Sequence, residues 1–305
     1  GGTGLTYTPH ADYCNNPPGS TLDTFTYTLT PGGSTATVSV TVTCVDDPPV
    51  AIAHSYSGVA NMRIDIPAGS GLLSGTYDVD GPAPLSVGTV SGTTPAGGVV
   101  SHNATTGAFS FTPPPGTTGN VTFTYTVCDA TAPTAVCSAA ATVTVNVNSN
   151  AMVWFVDDGA SAGGANGTLD HPFTSLSALQ ADAKFIASTN RRIFVFGGSY
   201  NTEFTMPSDV RLYGQEHSAP DSFDDTMGIT VVTGLQTRPT FNIGNTVTVA
   251  GQLTLGTNAY VRGLHLAPTS GTALVGSSVS GVDVRSVHIN AVGASGMDMS
   301  GVAGL

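Results

Sequence analysis

The chain has little charge, almost no lysine and a single tryptophan. Only 9% of its 305 residues are Asp, Glu, Lys or Arg, and Lys184 is the sole lysine. Eight basic residues stand against 20 acidic ones, for a net charge of −12. No basic patch appears along the sequence, which argues against nucleic acid as a partner. An anionic membrane surface is equally disfavoured, and no apolar run is long enough to insert in a bilayer. No signal-peptide or lipidation pattern occurs in these residues. Neither CxxC nor Cys/His spacing is present, which disfavours zinc. A Ser/His/Asp arrangement, a P-loop and a dinucleotide-binding glycine motif are missing too, so no catalytic residues or organic cofactor are expected.

What remains is turn and strand chemistry. There are 38 Gly and 19 Pro, set among Thr, Ser, Val and Ala, the mix that β-branched strands and tight turns require. An apolar fraction of 40% argues against a wholly disordered chain. The four cysteines, Cys14, Cys44, Cys128 and Cys137, read as disulfides formed in an oxidising compartment. Acidity with so little lysine suits an exported protein.

Two internal echoes organise the chain. Phe25-Thr26-Tyr27-Thr28-Leu29 returns as Phe123-Thr124-Tyr125-Thr126-Val127, 98 positions later. Val261-Arg262-Gly263-Leu264-His265-Leu266 returns as Val284-Arg285-Ser286-Val287-His288-Ile289, 23 positions later. The longer period is the size of a β-sandwich and the shorter that of one coil of a β-solenoid. Leu5 to Pro9 also matches Phe109 to Pro113, and Ala36 to Val40 matches Ala141 to Val145. Strands are expected at Leu5–Thr8, Phe25–Leu29 and Val38–Val42, the last two joined by a hairpin turn at Pro31-Gly32-Gly33-Ser34. Three strands fall short of a sandwich. The spans are therefore read as the C-terminal half of a sandwich over 1–47, a complete sandwich over 48–149 and the first coils of a solenoid over 150–305. The chain reads as a piece of a longer array. Consecutive prolines in Asp46-Asp47-Pro48-Pro49 make a stiff connector. Cys128 and Cys137 flank the turn of a terminal hairpin, and strand directions carry Cys14 and Cys44 to one end of the half module. Both pairs are expected to bridge.

After Asn150 the texture changes. Val153-Trp154-Phe155-Val156 is an apolar strand, and 175–186 is a helical stretch with Leu176, Leu179 and Ala183 on one face, suited to capping a stack. Leu264 and Leu266 should stack inside on Val287 and Ile289, leaving His265 and His288 as an outward ladder. Such a ladder offers itself to a ligand, a metal or a proton, though an exposed polar face explains it as well. The pairs Asp157-Asp158 and Asp224-Asp225 are raw material for glycan hydrolysis, but their loop positions favour solvation.

The "YTP" and "FTP" strand ends (7–9, 111–113), the "FTYT" strand, "TATVSVTV" (35–42) and "DDPPVA" (46–51) resemble the Ig-like, cadherin-like repeats of large bacterial surface proteins. "WFVDDGA" (154–160), "GTLDHPFTSLSAL" (167–179), "IFVFGGSYN" (193–201) and "VRLYGQ" (210–215) resemble the start of a right-handed parallel β-helix of the pectate-lyase-like superfamily. The expected class is thus all-β: tandem Ig-like β-sandwiches followed by a right-handed parallel β-helix with a short N-terminal capping helix. Asp78-Val79-Asp80-Gly81 offers two carboxylates to calcium, and the resemblance to cadherin-like arrays adds Asp46 and Asp47 at the module junction. The competing account is that these aspartates form turns.

Together these readings imply a non-catalytic extracellular protein of a bacterial cell surface, structural or adhesive. Its partners would be neighbouring repeats, copies of itself, or surface glycans and proteins. Two alternatives compete with it. One is a polysaccharide lyase or hydrolase of the β-helix type with accessory sandwiches; the other is a fibre subunit that assembles by β-strand addition. Fold alone does not choose among them.

Overall fold

The computed structural model describes residues 4–15, 21–79, 83–130, 134–218, 220–291, 293, 295–300 and 302. It is mostly β with few helices. Near the N-terminus, β1 (Asp23–Thr28) and β2 (Thr35–Val40) pair antiparallel from Asp23↔Val40 to Thr28↔Thr35. The expected strand at Leu5–Thr8 does not form. Leu5 is largely exposed, with no apolar surface among the described residues to cover it. Side chains tie this stretch down instead, because the Tyr7 and Tyr13 hydroxyls both donate to the Asp23 carboxylate. Cys14 and Cys44 are joined, their Cα atoms 5.0 Å apart. Beside them Asn15 accepts from Val42 N at 2.8 Å and donates to Val40 O at 3.1 Å.

The next strands are β3 (His54–Val59), β4 (Ile64–Ile66), β5 (Ser86–Val90), β6 (Val99–His102), β7 (Phe109–Thr112), β8 (Gly119–Cys128) and β9 (Ala141–Asn148). They form two sheets, β3-β9-β8-β5 and β4-β7-β6. Strict alternation directs Val121, Phe123, Tyr125 and Val127 of β8, and Val143, Val145 and Val147 of β9, to the interior. There they meet Ile64, Ile66, Phe109 and Phe111. Each large side chain so buried contributes about 1.5–3 kcal/mol over its exposed state, and the aromatic ones add edge contacts such as Phe109 on Phe123 at 5.8 Å. Cys128 and Cys137 are bridged beside the β8–β9 turn.

The remaining strands run parallel. They are β10 (Met152–Val156), β11 (Arg191–Val195), β12 (Gly198–Tyr200), β13 (Phe204–Thr205), β14 (Arg211–Gly214), β15 (Val247–Val249), β16 (Leu253–Thr254), β17 (Tyr260–Leu266), β18 (Thr272–Val275), β19 (Asp283–Ile289) and β20 (Ser295–Asp298). One sheet follows β10-β11-β14-β17, with β19 beyond β17 and with β15 and β12 continuing from the far half of β17. A second sheet is β13-β16-β18-β20. The shorter echo is a true register: Val261 pairs with Val284, Leu264 with Val287, His265 with His288 and Leu266 with Ile289. Like therefore stacks on like, and the ladder Trp154-Ile193-Leu212-Val261 forms a continuous apolar interior.

Two further features shape the parallel stack. The stretch at 175–186 is two short helices, α1 (Leu176–Ala181) and α2 (Ala183–Ala187). Asp182 ends the first and restarts the second by accepting from Lys184 N and Phe185 N, so Phe185 faces inward and Ala183 is exposed. Phe185 meets the Trp154 ring edge-on at 5.7 Å. The second is an excursion. Arg211 and its partner Tyr260 lie 49 positions apart, because the chain leaves the sheet after Gly214 and returns at Val247. That segment carries α3 (Phe223–Met227) and covers the outer face of the sheet. Phe223, Met227 and Ile229 pack there on Phe155, Phe194 and Tyr213.

Candidate functional site

The proposed calcium ligands are only partly within view. Val50 and Tyr77 form an antiparallel bridge, with Val50 N donating to Tyr77 O at 2.7 Å. That bridge sets the turn at Asp78 beside the connector bearing Asp46 and Asp47. Asp80 lies outside the described residues. Asp47 lines a cavity of about 190 Å³ with Asp12, Tyr13 and Thr43. Among the described residues, no three His, Cys, Asp or Glu side chains gather as a metal-holding group.

The paired carboxylates are occupied structurally. Asp157 accepts from Gly159 N and Asp158 from Ser199 N, both within ordinary hydrogen-bond distance. Arg238 holds Asp224 through Nε and Nη2, and the Ser222 hydroxyl donates to Asp225. Both pairs shape loops. The histidine ladder is real in geometry: the His265 and His288 rings stack 5.0 Å apart, and His265 Nε2 lies 2.8 Å from Glu216 Oε1. Beside it Arg262 is buried over the Tyr260 ring, 3.7 Å from its centroid, and pairs with Asp283 at 2.7 Å. The guanidinium holds the Asp283 carboxyl below its usual range by hydrogen bond and charge.

The most developed arrangement joins the sandwich to the parallel stack. It is built on Asn61, fully buried and in the left-handed region at φ 61°. Asn61 Nδ2 donates to Val153 O at 3.0 Å, Gly116 N donates to Asn61 Oδ1 at 2.8 Å, and Leu169 N donates to its carbonyl at 2.9 Å. One side chain thus ties a sandwich turn to the first parallel strand. Next to it the excursion pairs with β4. Asp65 N donates to Gly234 O at 2.7 Å, Gln236 N to Arg63 O at 3.0 Å, and Arg63 N to Gln236 Oε1 at 2.8 Å. Gly234 is required there: its φ is +76° and a Cβ would lie 2.3 Å from Asp65 O. Arg63 finishes the joint by bridging Asp65 at 2.9 Å and Asp170 at 2.8 Å. Val59 and Met62 of the sandwich share a core with Val153, Phe155 and Phe194. An open sheet edge is thereby covered within the chain itself.

Sequence reasoning missed this joint, because the partners of Asn61 lie 55, 92 and 108 positions away. The sandwich side of the joint lies within residues 46–149. That segment matches the bacterial cadherin-like domain. A cadherin-like domain suggests an extracellular adhesion or structural module. No curated protein matches the chain. Among solved structures, it is similar to a nucleoside hydrolase-related protein from Saccharophagus degradans associated with carbohydrate metabolism, at 18% identity and a TM-score of 0.23. It is also similar to the human desmocollin-1 ectodomain, at 15% identity and a TM-score of 0.28. These alignments cover 34% and 42% of this chain, and 26% and 27% of the respective structures. With scores at that level, the architecture rests on the strand pairing above and not on either structure.

Proposed function

We propose that this chain is a non-catalytic, extracellular, load-bearing segment of a long repetitive bacterial surface protein. In this reading the C-terminal half of a cadherin-like sandwich over 1–47 and a complete one over 48–149 lead into a right-handed parallel β-helix over 150–305. The observation that carries it is the joint at Asn61 and Gly234. Tandem modules on a flexible linker move independently by default. Here main-chain pairing, a shared apolar core and a buried amide lock one module to the next. A chain so built transmits orientation and force along its length. The in-register stack of Val261–Leu266 on Val284–Ile289 supports the β-helix, as do the occupied carboxylate pairs the non-catalytic role.

Spin labels at exposed Val99 and Ile243, on opposite sides of the joint, test the rigidity. A single narrow distance distribution is expected; a broad or multimodal one sinks the proposal. Incubation with polysaccharides should release no products, and depolymerisation would favour the enzymatic alternative.

A further inference from the structure

Four of the arginines, Arg63, Arg238, Arg262 and Arg285, are paired with carboxylates. Among the described residues Arg191, Arg192 and Arg211 have no ion pair, yet they line one cavity of about 330 Å³ with Asn150, Asn190, Asp209 and Asn258. The topology brings them together. Arg192 and Arg211 are register partners on the adjacent strands β11 and β14, and neighbouring strands lie about 4.8 Å apart. Two like charges so close repel, in a protein with an excess of carboxylates to spare. Burial, and then the charge of Arg211, push the Arg192 pKa down from its ordinary value.

The ordinary explanations for such arginines fall short. Arg192 Nη1 is buried and makes no hydrogen bond, although it packs against Gly228 at the end of α3. A helix-capping cation would have bonded the free carbonyls there. Arg191 reaches the carbonyls of Phe185, Ile186 and Ser208 only at 3.2–3.4 Å. Arg211 is exposed, its guanidinium beside the Tyr213 hydroxyl and 5.7 Å from the Tyr260 ring centroid. Among the described residues Asp209 is the one acid lining the cavity; it accepts from Asn258 Nδ2 at 2.8 Å, and its charge acts on Arg191 and not on Arg192.

Unpaired guanidinium groups are costly to gather, and their planar forks match oxyanions. Asn150 and Asn190 border the same space, their Nδ2 groups donating to Thr230 Oγ1 at 2.9 Å and Ser149 O at 3.3 Å, which leaves their Oδ1 atoms to accept from the hydroxyls of a ligand larger than a bare ion. The net charge of −12 opposes a long polyanion, so one charged unit fits better than a continuous run. We propose that this cavity binds an acidic sugar, a polyhydroxylated ligand whose carboxylate or sulfate is held by Arg192 and Arg211. The site stands whether or not the chain bears load.

Calorimetric titration of the full chain at constant ionic strength tests it, with glucuronate, glucose 6-sulfate, inorganic sulfate and glucose as probes. Either or both acidic sugars should bind saturably; glucuronate alone selects carboxylate and glucose 6-sulfate alone selects sulfate. Glucose should not bind, and inorganic sulfate should bind more weakly than the preferred sugar. Arg211→Gln should lower that affinity at least tenfold, as loss of a charge-assisted bond predicts. Arg285→Gln, outside the cavity, should leave it unchanged. Arg211 is exposed, so its variant should fold, and an unchanged far-UV spectrum would check that. Failure of both acidic sugars to bind overturns the proposal, as does undiminished binding by Arg211→Gln. Sulfate binding as tightly as the sugars overturns the sugar assignment.

Discussion

Asn258 Nδ2 donates to Asp209 Oδ1 at 2.8 Å, and both residues hold left-handed backbones, at φ 56° and 60°. They belong to a column. Register places Asn190, Asp209, Asn258 and Gly281 at the same corner of successive turns of the stack, with φ 51°, 60°, 56° and 64°. Each corner precedes a strand and demands a residue that tolerates this conformation, which Asn, Asp and Gly do. Replacing Asn258 with Ala removes the bond and keeps the unfavourable backbone. The expected loss is about 1–3 kcal/mol, read from urea unfolding. Gly281→Ala should also destabilise, since its Cβ would meet Asn258 Oδ1 at 2.3 Å. Stability within error of the parent for both variants would refute the column's role.

This column shows what the sequence made legible and what it hid. The 23-residue echo was readable because Val261 and Val284 face the same interior, and their chemistry repeats with their position. Asn190, Asp209 and Asn258 escape that reading. Their spacings of 19 and 49 are unequal, since the excursion after Gly214 lengthens one turn of the stack. The arginine cavity was hidden for the same reason: Arg192 and Arg211 become neighbours only through parallel pairing. Local signals did succeed where the partners were close, as at the β1–β2 hairpin. They failed at Leu5–Thr8, where the strand pattern had no sheet surface to pack on, and at Asp182, where a cap interrupts a helical pattern.

Asn61 makes the second prediction. Truncation to Ala leaves Val153 O and Gly116 N without their partner in a buried site. Each unpaired buried group costs about 1–3 kcal/mol. The Gly116 bond and the left-handed backbone at φ 61° lie within the sandwich, so part of the loss falls there, while the lost Val153 bond falls on the joint. Calorimetry of Asn61→Ala should therefore show two separated transitions where the parent shows more closely coupled unfolding. A uniform shift without any loss of coupling would count against the joint as the coupling element.

The two disulfides should differ in effect. Cys14–Cys44 closes a separation of 30 residues and Cys128–Cys137 one of 9. Chain-entropy reasoning assigns about 4 kcal/mol to the first and about 3 kcal/mol to the second. Context widens the gap, because β1 and β2 form a two-stranded sheet with little buried apolar surface, and such a hairpin is marginal alone. The double variant Cys14→Ser, Cys44→Ser should lose amide protection throughout 21–44. Cys128→Ser, Cys137→Ser should retain protection in β8 and β9, which the sandwich core holds. Equal loss at both places would contradict this ranking.

Acid sensitivity should appear in two separate ranges. Burial pushes the His54 pKa down, against a smaller opposing bond at Leu72. Burial and then the Arg262 charge push His217 down. For each, the unfolded chain, with a pKa of about 6.5, binds more protons than the folded one between the lowered pKa and that value. Stability contributed by the neutral rings is thus fully present above about pH 6.5 and declines as pH falls below it. The Asp283 carboxyl is also lowered, chiefly by its bond from Arg262. Its contribution is present above the ordinary carboxylate range of about 3.9 and is lost as pH falls through the folded pKa. Melting temperature should consequently fall from pH 7 to pH 5, and again below pH 4. Asp283→Asn should flatten the second fall, while His54→Gln with His217→Gln should flatten only the first. A parent melting temperature that is constant from pH 7 to pH 5 would show that neither histidine is held neutral by the fold.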